Sequence, residues 1–136
     1  EEGHQLLQDM KSHDLDSVYL IAPTTTDDRI AEICNASSGY VYYVSVKGVT
    51  GSASLDVTSV AEKLAVIRSK SDIPVGVGFG IKDAQSAAAV ANVADGVIVG
   101  SVLVNTIAEN VDNSDQIKSN IYNIIASMRE AMDANA

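Results

Sequence analysis

Short apolar runs alternate with longer segments of helical periodicity along the chain, and this alternation limits the fold more than any other feature. After a leading helical segment that carries Leu6, Leu7 and Met10, four apolar runs follow, and a predicted helix succeeds each of them. No two-residue hairpin turn joins neighbouring runs. Apolar strands connected through helices pair in parallel and are covered on both faces, so the sequence predicts an α/β fold. The predicted strands are 17–22, 40–46, 74–79 and 96–99.

The predicted helices begin at residues suited to capping. Residues 24–27 offer capping side chains for a helix that closes near Ser37 and Gly39, and Asp56 and Asp83 precede two further helices. A short helix is predicted over 102–109, and a last one starts near Ser114 with an apolar stripe that we assign to the core. Four strand and helix units of this kind form either a small open sheet or half of an eight-stranded barrel. The pattern alone leaves both architectures open.

Composition excludes several functional classes. The 136 residues carry a net charge of −9, which repels nucleic acid and anionic membranes, and no apolar run approaches the ~20 residues that span a bilayer. Cys34 is the only cysteine, so no intrachain disulfide forms and a reducing cytoplasm fits best. Its position beside Ile30 predicts a buried, inert thiol. With only two histidines besides, the sequence holds no ligand-spaced metal cluster, and we predict no metal site.

Glycines cluster where three of the four predicted strands meet the functional rim of a parallel sheet. Gly100 and Ser101 stand before the short helix, so their N–H groups point out of a helix N-terminus, which holds a phosphate without any lysine. Gly80 follows the neighbouring strand, and we predict one anion site between them. The alternative is that Gly80 and Gly100 only form turns. The glycines in question are Gly48, Gly51, Gly78, Gly80, Gly96 and Gly100.

Three segments together resemble the C-terminal half of the tryptophan synthase alpha subunit, in order and at matching separation. They are YVYYVSVKGVTG at 40–51, GFGI at 78–81 and DGVIVGSVLV at 95–104. The resemblance covers essentially the whole chain. It implies a single domain, 1–136, that forms strands five to eight of a (β/α)₈ TIM barrel whose first half is absent. It also implies a role in cleaving indole-3-glycerol phosphate to indole and glyceraldehyde 3-phosphate in tryptophan biosynthesis.

The resemblance assigns roles to eight residues. Those that match positions holding the substrate phosphate are Gly51, Gly80, Gly100 and Ser101. Those that match the substrate pocket are Tyr42, Thr50, Phe79 and Ile98, with Thr50 on a mobile loop that signals to the beta subunit. Since side chains alternate along a strand and one face of a barrel strand points to the barrel axis, Tyr42 is expected at the pocket while Tyr43 packs under the helices. It further implies a tryptophan synthase beta subunit as partner. No cofactor is expected in this chain, since pyridoxal phosphate belongs to that beta subunit.

The same resemblance places both proton-transfer carboxylates of the family in the absent half. The acids that remain lie on the leading helix, at caps, or, as Asp95 does, at the rim opposite the glycines, so we predict no catalytic residue in this segment and no activity of the segment alone. Two other functions stay open: a free-standing half-barrel that binds phosphate ligands, and a different phosphate-binding barrel such as a sugar-phosphate isomerase. A half-barrel would also need its missing half, or a second copy of itself, to cover its open sheet edges.

Overall fold

The computed structural model describes residues 3–45 and 56–134. Within them the chain forms a leading helix and then four strands, each followed by helix, and the last strand is followed by two helices. The strands are β1 (Leu20–Ile21), β2 (Val41–Val44), β3 (Val75–Gly78) and β4 (Gly96–Ile98). The helices are α1 (Gly3–Ser12), α2 (Asp27–Ala36), α3 (Val57–Arg68), α4 (Ala84–Ala91), α5 (Ser101–Glu109) and α6 (Ser114–Asp133).

The four strands form one parallel sheet in the order β1-β2-β3-β4. Neighbours in the chain are neighbours in the sheet, so every connection places a helix on the same side. One row of paired residues runs across the sheet from Leu20 through Tyr42 and Gly76 to Gly96. The predicted parallel α/β fold is confirmed.

The two faces of this sheet have different surroundings, so the prediction that both faces are covered is wrong for the described residues, whose helices cover one face. The face toward the helices is the core: Ile21, Tyr43 and Val77 are at most 2% exposed and pack among residues of α2, α3, α4 and α6. The other face, which we call the inner face, carries Leu20 and Tyr42, and Leu20 is 57% exposed. Side chains alternate between the faces of a strand, so the prediction that Tyr43 packs under helices while Tyr42 points away from them is confirmed.

Some element boundaries differ from those predicted. The first strand was predicted over 17–22 but has only two residues. At the start of that segment the Ser17 N–H donates to the Ser38 hydroxyl oxygen and the Ser38 N–H donates to the Ser17 carbonyl, so Ser17 is bonded to the segment after α2 and not to a neighbouring strand. Thr26 is the N-cap residue of α2, but its side chain makes no capping hydrogen bond. Helix α5 begins at Ser101, one residue before the predicted start, because Gly100 already accepts the first hydrogen bonds of the helix.

Asp95 connects neighbouring elements through hydrogen bonds and an ion pair at the amino ends of the strands. Its Oδ2 accepts a hydrogen bond from the Val75 N–H at 2.9 Å and lies 3.3 Å from an Arg68 guanidinium nitrogen. The carboxylate therefore joins β3, the end of α3 and the start of β4. This position is at the opposite end of the sheet from the strand-end glycines, as predicted.

Cys34 is 4% exposed within the core, and its burial raises the pKa of the thiol, as the predicted inert role requires. None of the helices in residues 3–45 and 56–134 combines the length and apolar character needed to cross a membrane. Over the same ranges, no group of three or more His, Cys, Asp or Glu side chains is placed to hold a metal ion.

The cap of α4 provides a test of local stability. Asp83 Oδ1 accepts from the Ser86 N–H at 2.8 Å, and the Ser86 hydroxyl oxygen accepts from the Asp83 N–H at 3.2 Å, and these two bonds form a capping box. We expect Asp83→Ala to lower the free energy of unfolding by about 1 kcal/mol, measured by urea denaturation at pH 7. Asp72→Ala, which removes an exposed carboxylate outside any helix, is the control and should have little effect.

The pH dependence of this effect has a defined sign. The hydrogen bonds from Ser86 lower the pKa of Asp83, so the carboxylate stabilises the folded chain at any pH above its ordinary value. That contribution is lost as the pH falls through the depressed pKa of the folded state. A difference between parent and Asp83→Ala that stayed constant down to pH 2 would contradict the assignment.

Candidate functional site

A groove of about 800 Å³ lies beyond the carboxyl ends of β3 and β4. Its walls come from the turn after β3, the first half of α4 and one side of α5. This is the rim at which parallel α/β folds place their ligand sites. The residues that line it are Val57, Phe79, Gly80, Ile81, Lys82, Asp83, Gln85, Ser86, Ala89, Ser101, Val102, Asn105, Thr106 and Glu109.

Helix α5 presents free backbone donors toward this groove. Gly100 is its N-cap residue, and the Gly100 carbonyl accepts from the N–H groups of Leu103 at 2.9 Å and Val104 at 3.1 Å. The N–H groups of Ser101 and Val102 come before the first N–H that can bond to a carbonyl of the same helix, so they have no partner within α5. Both residues line the groove. A glycine cap has no side chain to bind them, so these donors and the positive end of the helix dipole are available to an anion.

Helix α4 also starts beside the groove, but its N-terminus is occupied. The capping box of Asp83 already places a carboxylate there. A second anion at α4 would meet that negative charge, whereas the N-terminus of α5 lacks a side-chain cap. The two helix starts at the groove therefore differ, and α5 is the one suited to hold an anion.

The turn between β3 and α4 has an unusual backbone. Phe79 has φ +81° and Gly80 has φ +77°, so a non-glycine residue occupies the left-handed region and its ring is 58% exposed at the rim. Such a conformation is strained and persists only where neighbours enforce it. Ser45, at the end of β2, supplies one constraint, since its hydroxyl lies 2.9 Å from the Gly78 carbonyl oxygen and 3.1 Å from that of Phe79.

Several polar groups of the groove escaped prediction. Lys82 provides a cation, while Glu109 adds negative charge to that of Asp83. Ser101, Asn105 and Glu109 stand four residues apart, which places them on one face of α5. That spacing was readable in the sequence and could have predicted this polar wall. The role of Ser45 had no such signal, because it depends on the turn after a different strand.

The eight residues assigned from the resemblance fall into three groups. Phe79, Gly80 and Ser101 line the groove, and Gly100 caps the helix that forms its wall. Tyr42 and Ile98 lie instead on the inner face of the sheet and do not line this groove. Thr50 and Gly51 lie outside the described residues.

Aromatic rings cover glycines on the inner face. A Cβ at Gly78 would lie 2.4 Å from the hydroxyl oxygen of Tyr42, and one at Gly76 would lie 3.2 Å from the ring of Tyr40 and 3.0 Å from Ile98 Cδ1. Because β3 has only glycines on its inner face, both tyrosine rings can lie across the strand there. Among the described strand residues, those that point to this face are uncharged, so the inner face is an aromatic, apolar surface next to the rim.

Comparison with known proteins shows which family shares this arrangement. The family model described as "Tryptophan synthase alpha chain" matches residues 1–133. The tryptophan synthase alpha chain of Thioalkalivibrio sulfidiphilus is 56% identical over 133 residues, and that of Marinobacter nauticus is 54% identical over 136. These alignments cover 98% and 100% of this chain but 50% of each relative. The chain thus spans about half the length of the curated relatives it matches.

Solved structures agree with the sequence relatives. Tryptophan synthase subunit alpha from Legionella pneumophila is 34% identical with a TM-score of 0.78, over 98% of this chain and 48% of that one. Tryptophan synthase from Mycobacterium tuberculosis is 36% identical with a TM-score of 0.78, over 96% and 47%. The neighbours are TIM barrels, and this sheet corresponds to about half of such a barrel. The chain therefore belongs to the tryptophan synthase alpha chain family.

Proposed function

We propose that this chain forms strands five to eight of an alpha-subunit barrel and supplies its substrate-binding rim. The complete barrel is a carbon–carbon lyase of tryptophan biosynthesis that cleaves indole-3-glycerol phosphate to indole and glyceraldehyde 3-phosphate. The observation that carries the proposal is the groove after β3 and β4, where α5 begins with a glycine cap and its first N–H groups have no partner among the described residues. A phosphate monoester matches these donors in charge and in hydrogen-bonding capacity.

The proposed phosphate site consists of Gly80, Gly100 and Ser101, together with Gly51, which lies outside the described residues. Ser101 contributes its N–H and its hydroxyl, while the left-handed Gly80 keeps the opposite wall free of a side chain. Nothing lies within 4 Å of a Cβ built at either Gly80 or Gly100, so the space that their missing side chains leave faces the groove or solvent. The acidic Glu109 limits affinity and favours an anion that is seated at the helix N-terminus itself.

The indole part of the substrate is proposed to lie toward the inner face, against Tyr42, Phe79 and Ile98. Thr50, which lies outside the described residues, is proposed to contribute to the same pocket. Two observations support this. Phe79 directly follows the last residue of β3, is exposed and lines the groove. The inner face itself is apolar and aromatic, as a flat, largely apolar heterocycle requires.

A tryptophan synthase beta subunit is the partner proposed for the complete barrel, because relatives of this chain occur in tryptophan synthase structures. Pyridoxal phosphate belongs to that partner in this proposal, and no cofactor is needed at the groove beyond β3 and β4. Nucleic acid and membranes are not proposed as partners of a chain with a net charge of −9.

Gly100→Val tests the phosphate site. The substitution places a branched side chain at the N-cap of α5, where a Cβ meets no atom of the described residues within 4 Å. Because φ −132° and ψ −72° lie outside the usual regions for a branched residue, far-ultraviolet circular dichroism first checks that the variant is folded. We expect it to abolish binding of glycerol 3-phosphate, measured by isothermal titration calorimetry, because the valine occupies the space of the anion. Ser101→Ala should weaken binding by only ~1 kcal/mol or somewhat more, at least about fivefold, through loss of one hydrogen bond to a charged group.

Gly3→Val is the matched control, since its Cβ also meets nothing within 4 Å but lies at the start of α1. It should bind glycerol 3-phosphate like the parent chain. If Gly100→Val bound the ligand as tightly as Gly3→Val, the proposed phosphate site would be wrong.

A free-standing phosphate-binding module is the second candidate, and one observation favours it. The helix N-terminus at Gly100 and Ser101 and the turn at Gly80, which are proposed to hold the phosphate, all lie within the described residues of this chain. The mass of the native gene product separates the candidates. A protein near twice the 14.2 kDa of this chain supports the enzyme, and a stable product of 14.2 kDa supports the module.

A further inference from the structure

Ser45 stands directly after β2 and bonds to the chain segment that leaves β3. Its N–H donates to the Gly78 carbonyl oxygen at 3.1 Å, and its hydroxyl lies 2.9 Å from the same oxygen and 3.1 Å from the Phe79 carbonyl oxygen. Successive carbonyls of a regular strand point to opposite sides, so two of them face one hydroxyl here because the chain leaves the strand conformation at Phe79. Ser45 therefore holds the first peptide groups of the turn that leads to the groove.

This turn needs such support because it begins with two residues in the left-handed region. Phe79 has φ +81° and Gly80 has φ +77°. Glycine adopts this region without steric cost, whereas a phenylalanine there is strained and keeps the conformation only where its surroundings enforce it. The Phe79 ring is exposed, so packing of the side chain contributes little of that support. The hydrogen bonds from Ser45 to the backbone contribute it instead.

The conformation of the turn determines where the next backbone donors lie. Gly80 and Ile81 both line the groove, and within residues 3–45 and 56–134 neither N–H group has a hydrogen-bond acceptor. A rotation of Phe79 toward the negative φ values that phenylalanine prefers would turn the following peptide group and move both donors. An anion held in the groove would then lose donors on the β3 side, while those of α5 would stay in place.

We propose that Ser45 is a positioning residue for the anion site, whose hydroxyl fixes the left-handed turn at Phe79 and Gly80 and thereby sets the backbone donors on that side of the groove. This role rests on the phosphate site proposed above and deepens it. Ser45 does not itself line the groove, so it acts through the turn and not through contact with the ligand. The competing role is a purely structural bond between β2 and β3, which would affect stability alone.

Phe79 is the only phenylalanine in the chain, so a fluorine label reports on this turn alone. The chain is produced with para-fluorophenylalanine, and its fluorine NMR spectrum is recorded without ligand. We expect Ser45→Ala to shift or split the single resonance because the strained turn is then free to relax. Ser45→Thr keeps a hydroxyl and should retain the signal of the parent chain.

Ser37→Ala is the matched control. Ser37 is also half-buried, and its hydroxyl donates to the Ile33 carbonyl oxygen at 2.8 Å, but it lies at the end of α2, before the amino end of β2. The substitution removes the same kind of hydrogen bond far from the turn. It should lower the midpoint of urea unfolding, as Ser45→Ala does, and leave the fluorine resonance unchanged.

Binding of glycerol 3-phosphate, measured by isothermal titration calorimetry, connects the turn to the anion site. We expect Ser45→Ala to weaken binding about five- to tenfold, whereas Ser45→Thr and Ser37→Ala should stay within about twofold of the parent chain. In a Phe79→Gly background the additional effect of Ser45→Ala should fall below about twofold, because glycine takes the left-handed conformation without support. A purely structural Ser45 would change neither the affinity nor the fluorine signal.

The outcomes separate this role from the phosphate site itself. If the parent chain binds glycerol 3-phosphate and folded Ser45→Ala binds it equally well, or keeps the fluorine signal of the parent, Ser45 is not a positioning residue and the phosphate site stands. If the parent chain binds none, the phosphate site is wrong, and the fluorine spectra still test whether Ser45 holds the turn. If circular dichroism shows that Ser45→Ala is unfolded, recovery of the fold in the Phe79→Gly background supports the proposal, and a double variant that stays unfolded overturns it.

Discussion

Purified 136-residue chain is expected to release no measurable indole from indole-3-glycerol phosphate, even under conditions in which it binds glycerol 3-phosphate. Cleavage of the bond to the indole ring requires positioned groups that move protons to the ring carbon and from the ring nitrogen. Each such group contributes about 10²- to 10⁴-fold to the rate. The resemblance to the family implies that both carboxylates lie outside this chain. The expected loss of cleavage rate therefore exceeds the loss caused by removing either carboxylate alone.

The acids near the groove do not replace them. Asp83 is held in the capping box of α4 by Ser86, which lowers its pKa and makes it a poor proton donor near neutral pH. Glu109 is exposed at the far end of α5, two helical turns from Ser101. Asp95 binds the Val75 N–H and Arg68 at the opposite end of the strands.

Adding the missing half provides the positive arm of the test. The relative from Marinobacter nauticus is 54% identical to this chain over the region that the two share. The other, N-terminal half of that relative is purified separately and mixed with this chain. We expect indole release to appear only in the mixture, at a rate that rises with the concentration of either half until the other is saturated. If the chain alone released indole at a rate typical of enzymes, the proposal that the catalytic carboxylates lie in the other half would be wrong.

Much of this fold was predictable because local and tertiary preferences agree. Asp83 before an alanine-rich segment predicted a capped helix, and α4 has that cap. The alternation of Tyr42 and Tyr43 predicted which ring enters the core, since only one face of the sheet is covered by helices. Gly100 and Ser101 were placed together at the start of a helix because strand ends and glycine caps follow short-range rules.

Other features could not be read from the sequence because they depend on contacts between distant segments. The left-handed Phe79 contradicts the preference of a bulky residue, and its turn is constrained by Ser45, 34 positions earlier in the chain. The choice between an open sheet and half a barrel also has no local signal. It rests on the likeness to solved barrels and on the apolar inner face, which helices would cover in a doubly wound sheet.

Gly78 is the position where a single methyl group is expected to have the largest structural effect. Its φ lies outside the left-handed region, so alanine meets no backbone restriction there. The nearest obstacle is Tyr42, whose hydroxyl oxygen and ring carbon Cε2 would lie 2.4 Å and 2.5 Å from the new Cβ. Gly96 offers a matched control on the same face, since the nearest atom to its Cβ is a backbone carbon at 3.8 Å.

We expect Gly78→Ala to lower the free energy of unfolding by about 1 to 3 kcal/mol, the usual range for overpacking, because the Tyr42 ring must leave its place across β3. Gly96→Ala should be neutral or stabilise the chain by up to about 1 kcal/mol, because alanine restricts the unfolded chain without meeting a close contact. Urea unfolding at one fixed protein concentration measures both. In a Tyr42→Ala background the penalty at Gly78 should largely disappear, which gives a coupling energy of about the same size. If Gly78→Ala were as harmless as Gly96→Ala, or if its penalty survived the removal of Tyr42, the ring would not lie where the inner face places it, and the aromatic surface proposed to receive the indole group would lose its main structural support.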